Sequence, residues 1–513
     1  MEDLFNYSEA GGQGAEFIGQ SGQDIIKAME AGLLTGMQYD GVLNTGGGLK
    51  VESLDAVLKV LENRLNQLVF LLEMPTQKID NTVHQFNQLD KYGMEVGIFN
   101  NEGETPTETD SLYRRNSIIT AFTGVVGQVT HPAMLARLAG GMNMYTKEVE
   151  NKTILLQTIL DRRLVDADRS KIPTAFDGVF KQHLNGINQI YGDIAGKTTE
   201  QMLDDYFGDV SMINADGEVL TDSMIEDASQ AVVNDRNGEI DRIMSNPAVF
   251  NQYVKQFHES KRVIVGYPNG VTGATMGQSV NTITTQFGQV AVKNDKFFDE
   301  RKPIKSTAQK SFAKAPKAVV ADPSAPVAVV TDTKTKFGAH AGTYFYAVTA
   351  KNKYGESAPV VLNPDAAQAV TAAQAVTASQ AVNLKFTAGT DDPYPATCFV
   401  IYRSKVNPVN LATTDLYPIF EVSTSELASG YDGADAGQVR DRNRIIAGTK
   451  SALVYYNSSD INEYLQFADT MKMDFAITSP ARRFAILNYG TPVLYQPGKI
   501  ARIYNLKAST GAV

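Results

Sequence analysis

The sequence has one cysteine, no tryptophan and five histidines in 513 residues, and each scarcity closes a class of chemistry. A lone Cys398 excludes an internal disulfide, a zinc site built on two or more cysteines and a cysteine-ligated cluster. The histidines, His84, His131, His183, His258 and His340, show no i,i+4 pair and no HExxH motif, and no GxSxG element accompanies them. Each reads as a surface or capping histidine, and neither a catalytic set, a metal site nor a cofactor is expected. No run approaches the ~18 apolar residues of a membrane helix, and the acidic opening MEDLFNYSEA lacks the basic region of a secretion signal. Positive charge is also short. Lys and Arg number 47 against 57 Asp and Glu, a net charge of −10, which argues against a chain whose main task is gripping nucleic acid. The deficit is concentrated: residues 1–110 hold 18 acidic and 6 basic residues, net −12, which leaves +2 for the other 403.

What remains is ordinary globular material, 43% hydrophobic and 20% charged, long enough for roughly two to four domains. Residues 1–50 are rich in Gly and Gln and read as an extended arm. The triplet Gly46-Gly47-Gly48 is not a phosphate loop, because Leu49 stands where a lysine is required. From Ser53, the residues Leu54, Val57, Leu58, Leu61, Leu65 and Leu68 form one apolar stripe, predicting a helix that stops near Pro75. Between Lys91 and Thr130 short β-type runs surround an acidic tip, NNEGETPTETDS, followed by Tyr113-Arg114-Arg115, and predict a long two-stranded excursion. Glu102 and Glu104 have the proximity of an acid/base pair, but Gly, Thr and Pro around them make a solvated loop the better reading.

His131-Pro132 opens a helical pattern, Leu138, Met142, Tyr145, Val149, Leu156 and Ile159, running toward Pro173. It predicts a helix of ~35–40 residues, bent at Gly140-Gly141. Residues 186–300 mix helix and strand signals as an α+β domain does. Asn214-Ala215-Asp216-Gly217 and Asp235-Arg236-Asn237-Gly238 read as turns, since calcium loops need other first and twelfth residues. The stretch VNTITTQFGQVAVKNDKFF alternates like paired strands.

Lys302 to Pro326 packs five Lys and four Pro into 25 residues and reads as an exposed linker. Beyond it Tyr344, Tyr346 and Val348, then Val382, Leu384 and Phe386, then Phe399 to Tyr402 alternate at the spacing of a β-sandwich. AAQAVT, AAQAVT and ASQAVN repeat with a period of six, which puts Val370, Val376 and Val382 on one face of an extended strand.

Together the acidic excursion EGETPTETDSLYRR, the long helix, TQFGQVAVKNDKFF and the closing IIAGTKSALVYY, QFADTMKMDFAI and FAILNYGTPVLYQPGKIARIYNL resemble, in this order, the major capsid proteins of tailed bacteriophages. The resemblance covers about residues 40–302 and 441–513. It implies the Hong Kong 97-type fold, an α+β class: an N-terminal arm (1–50), a helix and peripheral segment (51–83), an E-loop (84–128), a spine helix and peripheral domain (129–189), and an axial domain (190–302) completed by return strands (441–513). GTYFYAVTAKNKYGESAP, VNLKFTAG, CFVIYRSK and YDGADAG separately resemble a fibronectin type III or immunoglobulin-like domain, inserted with its linker at 303–440.

The implied function is a non-enzymatic subunit of an icosahedral head. It would form hexamers and pentamers, enclose double-stranded DNA without base readout, and work with scaffolding, decoration and portal proteins, away from any membrane. Its location would be the virion capsid, after assembly in the host cytoplasm. Glu102, Glu104, Asp110, Arg114 and Arg115 are the expected inter-subunit contacts. Some family members crosslink through an E-loop lysine, yet no Lys occurs between Lys91 and Lys147, so no such crosslink is expected. A tail-tube subunit, a surface-binding protein carrying the sandwich and, weakest, an enzyme are the alternatives.

Overall fold

The computed structural model describes residues 64, 67–93, 99–105, 107–135, 143–192, 196–257, 280–323, 325–362, 374–477 and 479–508. The predicted arm, most of the helix from Ser53 and the bend at Gly140-Gly141 lie outside them. Residues 131–147 belong to one compact unit, and residues 62–130 and 148–513 form another. Within the first, His131–Leu135 is helical (α2), and a further helix begins at Met144.

In the second unit the chain passes through a single turn, α1 (Phe70–Glu73), into β1 (Thr76–Lys78), β2 (Val83–Lys91), β3 (Leu112–Ile119) and β4 (Ala121–Thr130). Strands β2 and β3 pair antiparallel with each other, and β4 leaves them for a four-stranded sheet of order β1-β21-β22-β4, where β21 is Asn462–Asp474 and β22 is Ala481–Leu494. The excursion is therefore the β2–β3 hairpin alone. Glycine makes the β4 to β22 contact possible: a Cβ at Gly127 would overlap the Phe484 ring, which is fully buried.

Helix α3 (Met144–Asp166) has 23 residues and stops short of Pro173. Beyond its end Asp168 accepts hydrogen bonds from its own turn, Ser170 N at 2.8 Å and Ser170 Oγ at 2.6 Å. Its buried stripe is Leu156, Leu160 and Leu164, whereas Ile159, expected in the core, is 40% exposed. There follow α4 (Val179–Ile190), α5 (Thr199–Gly208), β5 (Met212–Asn214), α6 (Asp222–Val233), β6 (Arg242–Ser245), α7 (Pro247–Phe257), β7 (Thr282–Thr285) and β8 (Gly288–Asn294). With β20 (Lys450–Tyr455) and β23 (Ile500–Leu506) the strands make a six-stranded sheet, β5-β23-β20-β6-β8-β7. Ile225, Ala228 and Val232 of α6 and Val249, Phe250 and Tyr253 of α7 pack on Ala452, Val454, Ala501 and Ile503 of this sheet. The turns predicted at 214–217 and 235–238 are present: Asp216, Gly217 and Asn237 take positive φ.

His183 on α4 is not a surface histidine: it is wholly buried, its Nε2 3.1 Å from Ser211 Oγ. Burial lowers its pKa to about 4, so the fold accepts only the neutral ring. An unfolded chain takes up the proton below its ordinary value near 6.5, so stability held above that pH is lost as pH falls toward 4. The loss should reach about 3 kcal/mol. Chemical denaturation at pH 7 and pH 4 should show it, and His183→Gln should remove this part of the pH dependence.

Residues 320–441 form a second β structure: β9 (Val320–Ala321), β10 (Val327–Thr331), β11 (Gly342–Tyr344), β12 (Tyr346–Asn352), β13 (Gly355–Glu356), β14 (Val360–Leu362), β15 (Gln374–Val376), β16 (Gln380–Thr387), β17 (Cys398–Ser404), β18 (Leu416–Ser423), a helix α8 (Thr424–Ser429) and β19 (Gln438–Asp441). One sheet runs β13-β12-β17-β18, with β14 also on β12; the other runs β10-β16-β19, with β9 on β16. Tyr346, Val348, Phe399 and Ile401 of the first sheet meet Val327, Val382, Leu384 and Phe386 of the second in one core, so the two are layers of a sandwich. The Ala-Val repeat does not extend one strand. Val376 and Val382 sit on successive strands, β15 and β16, across a turn closed by Gln380 N donating to Thr377 O, and both enter the core; Val370 lies outside the described residues.

The Lys/Pro-rich segment is no free linker. Ile304 bridges Leu416 and packs on the outer face of the five-stranded sheet with Phe345, Ala347, Val400 and Tyr402, while Ala315, Pro316 and Val319 are buried. Its lysines point outward and dominate the composition, but its few apolar side chains hold it down.

The sandwich joins the six-stranded sheet through Asp441-Arg442-Asn443-Arg444, and the period of two divides their roles. Asp441 and Asn443 turn inward to Arg403. Arg442 Nη2 donates to Glu200 Oε1 at 2.9 Å and Arg444 Nη2 to Asp204 Oδ1 at 2.5 Å, both acceptors on α5.

Candidate assembly surface

The hairpin registers Val83 with Ile119, Asn87 with Arg115, and Leu89 with Tyr113. Side chains on paired strands alternate between two faces, and here both carry apolar groups. On the inner face Phe86 meets the Tyr495 ring edge to face at 5.0 Å, and Phe86 and Ile118 pack against Ile79, Leu465 and Val493. This contact roots the hairpin on the four-stranded sheet. On the outer face Val83, Leu89 and Ile119 are exposed and Tyr113 is 71% exposed, with Gln85, Asn87, Arg115 and Ser117 between the two apolar pairs. An apolar outer face gives no stability to an isolated chain; apolar surface of this kind marks a contact with something else.

Beyond the paired strands, Tyr92 and Phe99 are 88% and 93% exposed. From Tyr92 to Ser111 the chain has five acidic residues and no Lys or Arg. Glu102 is exposed at the tip, and Glu104 closes a turn there, its Oε2 accepting from Asn101 N at 3.0 Å and Nδ2 at 3.1 Å. Asp110 is also exposed. The two arginines are tied down within the hairpin: Arg114 Nη2 lies 2.9 Å from Asp90, and Arg115 Nε donates to Asn87 Oδ1 at 3.1 Å. The five expected contact residues thus divide into an outward acidic set, Glu102, Glu104 and Asp110, and an internally paired basic set.

Sequence reasoning passed over the outer apolar face. The signal was present in VHQFNQL, where Val83 and Leu89 fall on the face opposite Phe86; apolar residues in both phases of a strand imply burial on both sides. A second unpartnered feature adjoins it. Among the described residues β4 pairs only with β22, leaving its other edge open, and its outer face carries exposed Phe122 and Val126. The far end of the β21–β22 hairpin exposes Met473, Phe475 and Ile477.

A cleft of about 550 Å³ lies between the five-stranded sheet and α3 to α5. Its charges are paired among themselves: Lys171 with Glu426, Arg162 with Glu300, Lys351 with Glu421 at 2.5 Å within the sheet, and Arg163 with Asp166 at 3.3 Å along α3. Cys398 is buried in β17, and burial, with Glu421 nearby, pushes its thiol up to about 12, which makes it a poor nucleophile. Among the described residues no group of three or more His, Cys, Asp or Glu is placed to hold a metal, and no helix is long and apolar enough to cross a membrane.

No family model matches the sequence, and no curated protein matches it. Solved structures similar to it include the holo-SrpI encapsulin complex from Synechococcus elongatus PCC 7942, at 5% identity over 89% of this chain and 94% of that one, with a TM-score of 0.39. The capsid of a native GTA particle matches at 8% identity over 89% and 96%, TM-score 0.38. The Gordonia phage Cozz structure matches at 7% identity over 89% and 91%, TM-score 0.40. Identities and scores this low assign neither a family nor a function to the chain.

Proposed function

We propose that the chain is a major capsid protein of a tailed bacteriophage: a Hong Kong 97-type shell subunit carrying an inserted fibronectin type III or immunoglobulin-like sandwich. It assembles into hexamers and pentamers of an icosahedral head in the host cytoplasm and encloses double-stranded DNA. The observation that carries this reading is the β2–β3 hairpin, a long projection that is apolar on the face its own chain leaves uncovered and acidic at its tip. A self-assembling subunit needs lateral surface of this kind rather than a reactive centre. The resemblance of the segments, in order, to capsid sequences supports the same reading.

In this reading the hairpin is the E-loop and lies on a neighbouring copy. Glu102, Glu104 and Asp110 face Lys or Arg of that neighbour's α3 region. Two cations of α3 already pair in-chain, Lys152 with Glu148 and Arg162 with Glu300, so the contact exchanges one partner for another and contributes only about 0–1 kcal/mol per exposed pair. Apolar burial then holds the lattice. An acidic wall keeps the enclosed DNA loosely held, without base readout. Scaffolding, decoration and portal proteins are the expected partners.

The test is to express the chain and examine the product by negative-stain electron microscopy and denaturing electrophoresis. The expected result is closed shells or curved lattice fragments that run as a single 55.8 kDa band. Tubes or a uniformly monomeric product would overturn the reading, and covalent ladders would overturn the noncovalent lattice.

A further inference from the structure

Two carboxylates that neither the fold core nor the assembly surface requires meet behind the strap that precedes β1. Asp161 on α3 and Asp295, just past β8, are 1% and 0% exposed. Between them they hold three consecutive backbone N–H groups. Asp295 Oδ2 accepts from Val69 N at 3.3 Å and Phe70 N at 2.8 Å, and Asp161 Oδ1 accepts from Leu71 N at 2.8 Å. Asp295 Oδ1 accepts from Phe297 N at 2.8 Å, which leaves one of the roughly four lone-pair positions of this carboxylate open, on Oδ1. Asp161 Oδ2 is buried and meets no donor, and because Phe70 N and Leu71 N are consecutive, the carboxylates that hold them stand side by side. Two buried carboxylates in contact do not both ionise, and an oxygen with no donor is where a proton belongs.

We propose that Asp161 and Asp295 form a one-proton latch, in which a proton on Asp161 Oδ2 is donated to Asp295 and the pair clamps the strap Val69–Leu71 against α3. Loss of that proton leaves two adjacent anions and loosens the segment from which β1 and the hairpin depart. The surrounding charges do not replace the proton. Arg162, the next residue on α3, is committed to Glu300. On the strap Glu73 is engaged by Arg242 and Lys293, and Asp241 is also held by Arg242. From the Asp295 side Lys296 lies over the Phe297 ring, and from β20 the buried Tyr455 packs on Phe70. Burial, and second the Asp295 charge, push the Asp161 carboxyl up to about 8.

The pH dependence has a definite sign. In the opened strap Asp161 is solvated, with an ordinary value near 4, so the closed form binds one proton more between about 4 and 8. Opening therefore grows easier as pH rises through that window, by up to tenfold per pH unit, and levels off above it. This is opposite to His183, which penalises acid.

Hydrogen exchange on the unassembled chain tests the latch independently of any shell. After correction for base-catalysed exchange, protection of the Phe70 and Leu71 amides should fall between pH 5 and 8 in the natural chain. Asp161→Asn keeps an acceptor for Leu71 and gives Asp295 a permanent donor, so protection there should be independent of pH. Infrared spectroscopy supplies a second reading: a buried carboxylic-acid C=O band should persist to about pH 8 in the natural chain and be absent from the variant. PH-independent protection in the natural chain, the same slope in the variant, or no acid band at pH 6 would each overturn the proposal.

Discussion

Replacing Leu89 and Tyr113 together by glutamate is expected to abolish assembly while leaving the subunit folded. The two residues are directly opposite across β2 and β3 and lie on the exposed face, so neither contributes to the hairpin's root on Tyr495. The isolated chain loses almost nothing, and its thermal midpoint should stay within about 2 °C of the natural one. The lattice loses the burial of a leucine and a tyrosine at every contact and gains two charges to desolvate. At roughly 1.5–3 kcal/mol for each large apolar side chain taken from fully exposed to buried, the 42% of Leu89 and 71% of Tyr113 still exposed make the apolar part about 2–3 kcal/mol per subunit. That alone raises the critical concentration for assembly by about thirtyfold to a hundredfold, since about 1.4 kcal/mol is tenfold, and the two buried charges raise it further. Light scattering over a concentration series measures it. Glu102→Gln with Glu104→Gln should change the critical concentration by less than about tenfold, because exposed ion pairs contribute little.

The second large effect lies in the sandwich. Arg403 on β17 is 1% exposed, and its Nη1 donates to Asp441 Oδ2 at 2.5 Å, its Nη2 to Asn443 Oδ1 and to Ile445 O at 2.9 Å. Tyr346 Oη donates to the same Asp441 oxygen at 2.8 Å, and the guanidinium lies 5.3 Å from the Phe337 ring centre and 5.1 Å from that of Tyr344. Arg403→Met removes the cation and leaves the Asp441 carboxylate buried with only neutral donors, the Tyr346 hydroxyl and Asn443 N. Breaking a buried pair from one side costs about 3–5 kcal/mol. Cys398, the only thiol, is buried on the same strand and reports the opening. Labelling of that thiol should accelerate between about a hundredfold and a few thousandfold in Arg403→Met. Lys334→Ala, which removes the ion pairs of a half-exposed lysine with Glu200 and Asp204, should leave the labelling rate within a few fold.

These two sites show what the sequence could and could not reveal. Strands with strict alternation were legible: Tyr346 and Val348, then Val382, Leu384 and Phe386, occupy the core their spacing implied, because a period of two leaves one choice of face. The acidic excursion was legible because turn residues and charge both mark it. The outer face of the hairpin was not, since an exposed Leu89 and a buried Phe86 look alike in composition. Charged groups in the interior were illegible for a related reason. Arg403, His183, Asp161 and Asp295 are placed by partners distant in the chain, and nothing local to them announces the partner. The Lys/Pro-rich segment misled in the opposite direction, because three or four apolar contacts suffice to dock a stretch whose composition is that of a linker.

In the proposed lattice, a single cysteine and no lysine between Lys91 and Lys147 leave packing to join the subunits, so the decisive quantity is what covers the outer face of β2 and β3. The most direct measurement is an electron cryomicroscopy reconstruction of the assembled chain at side-chain resolution. The predicted result is a closed shell in which Leu89 and Tyr113 are buried against a neighbouring subunit and Glu102, Glu104 and Asp110 lie within reach of its basic residues. A particle in which that face and that tip stand in open solvent would contradict the account.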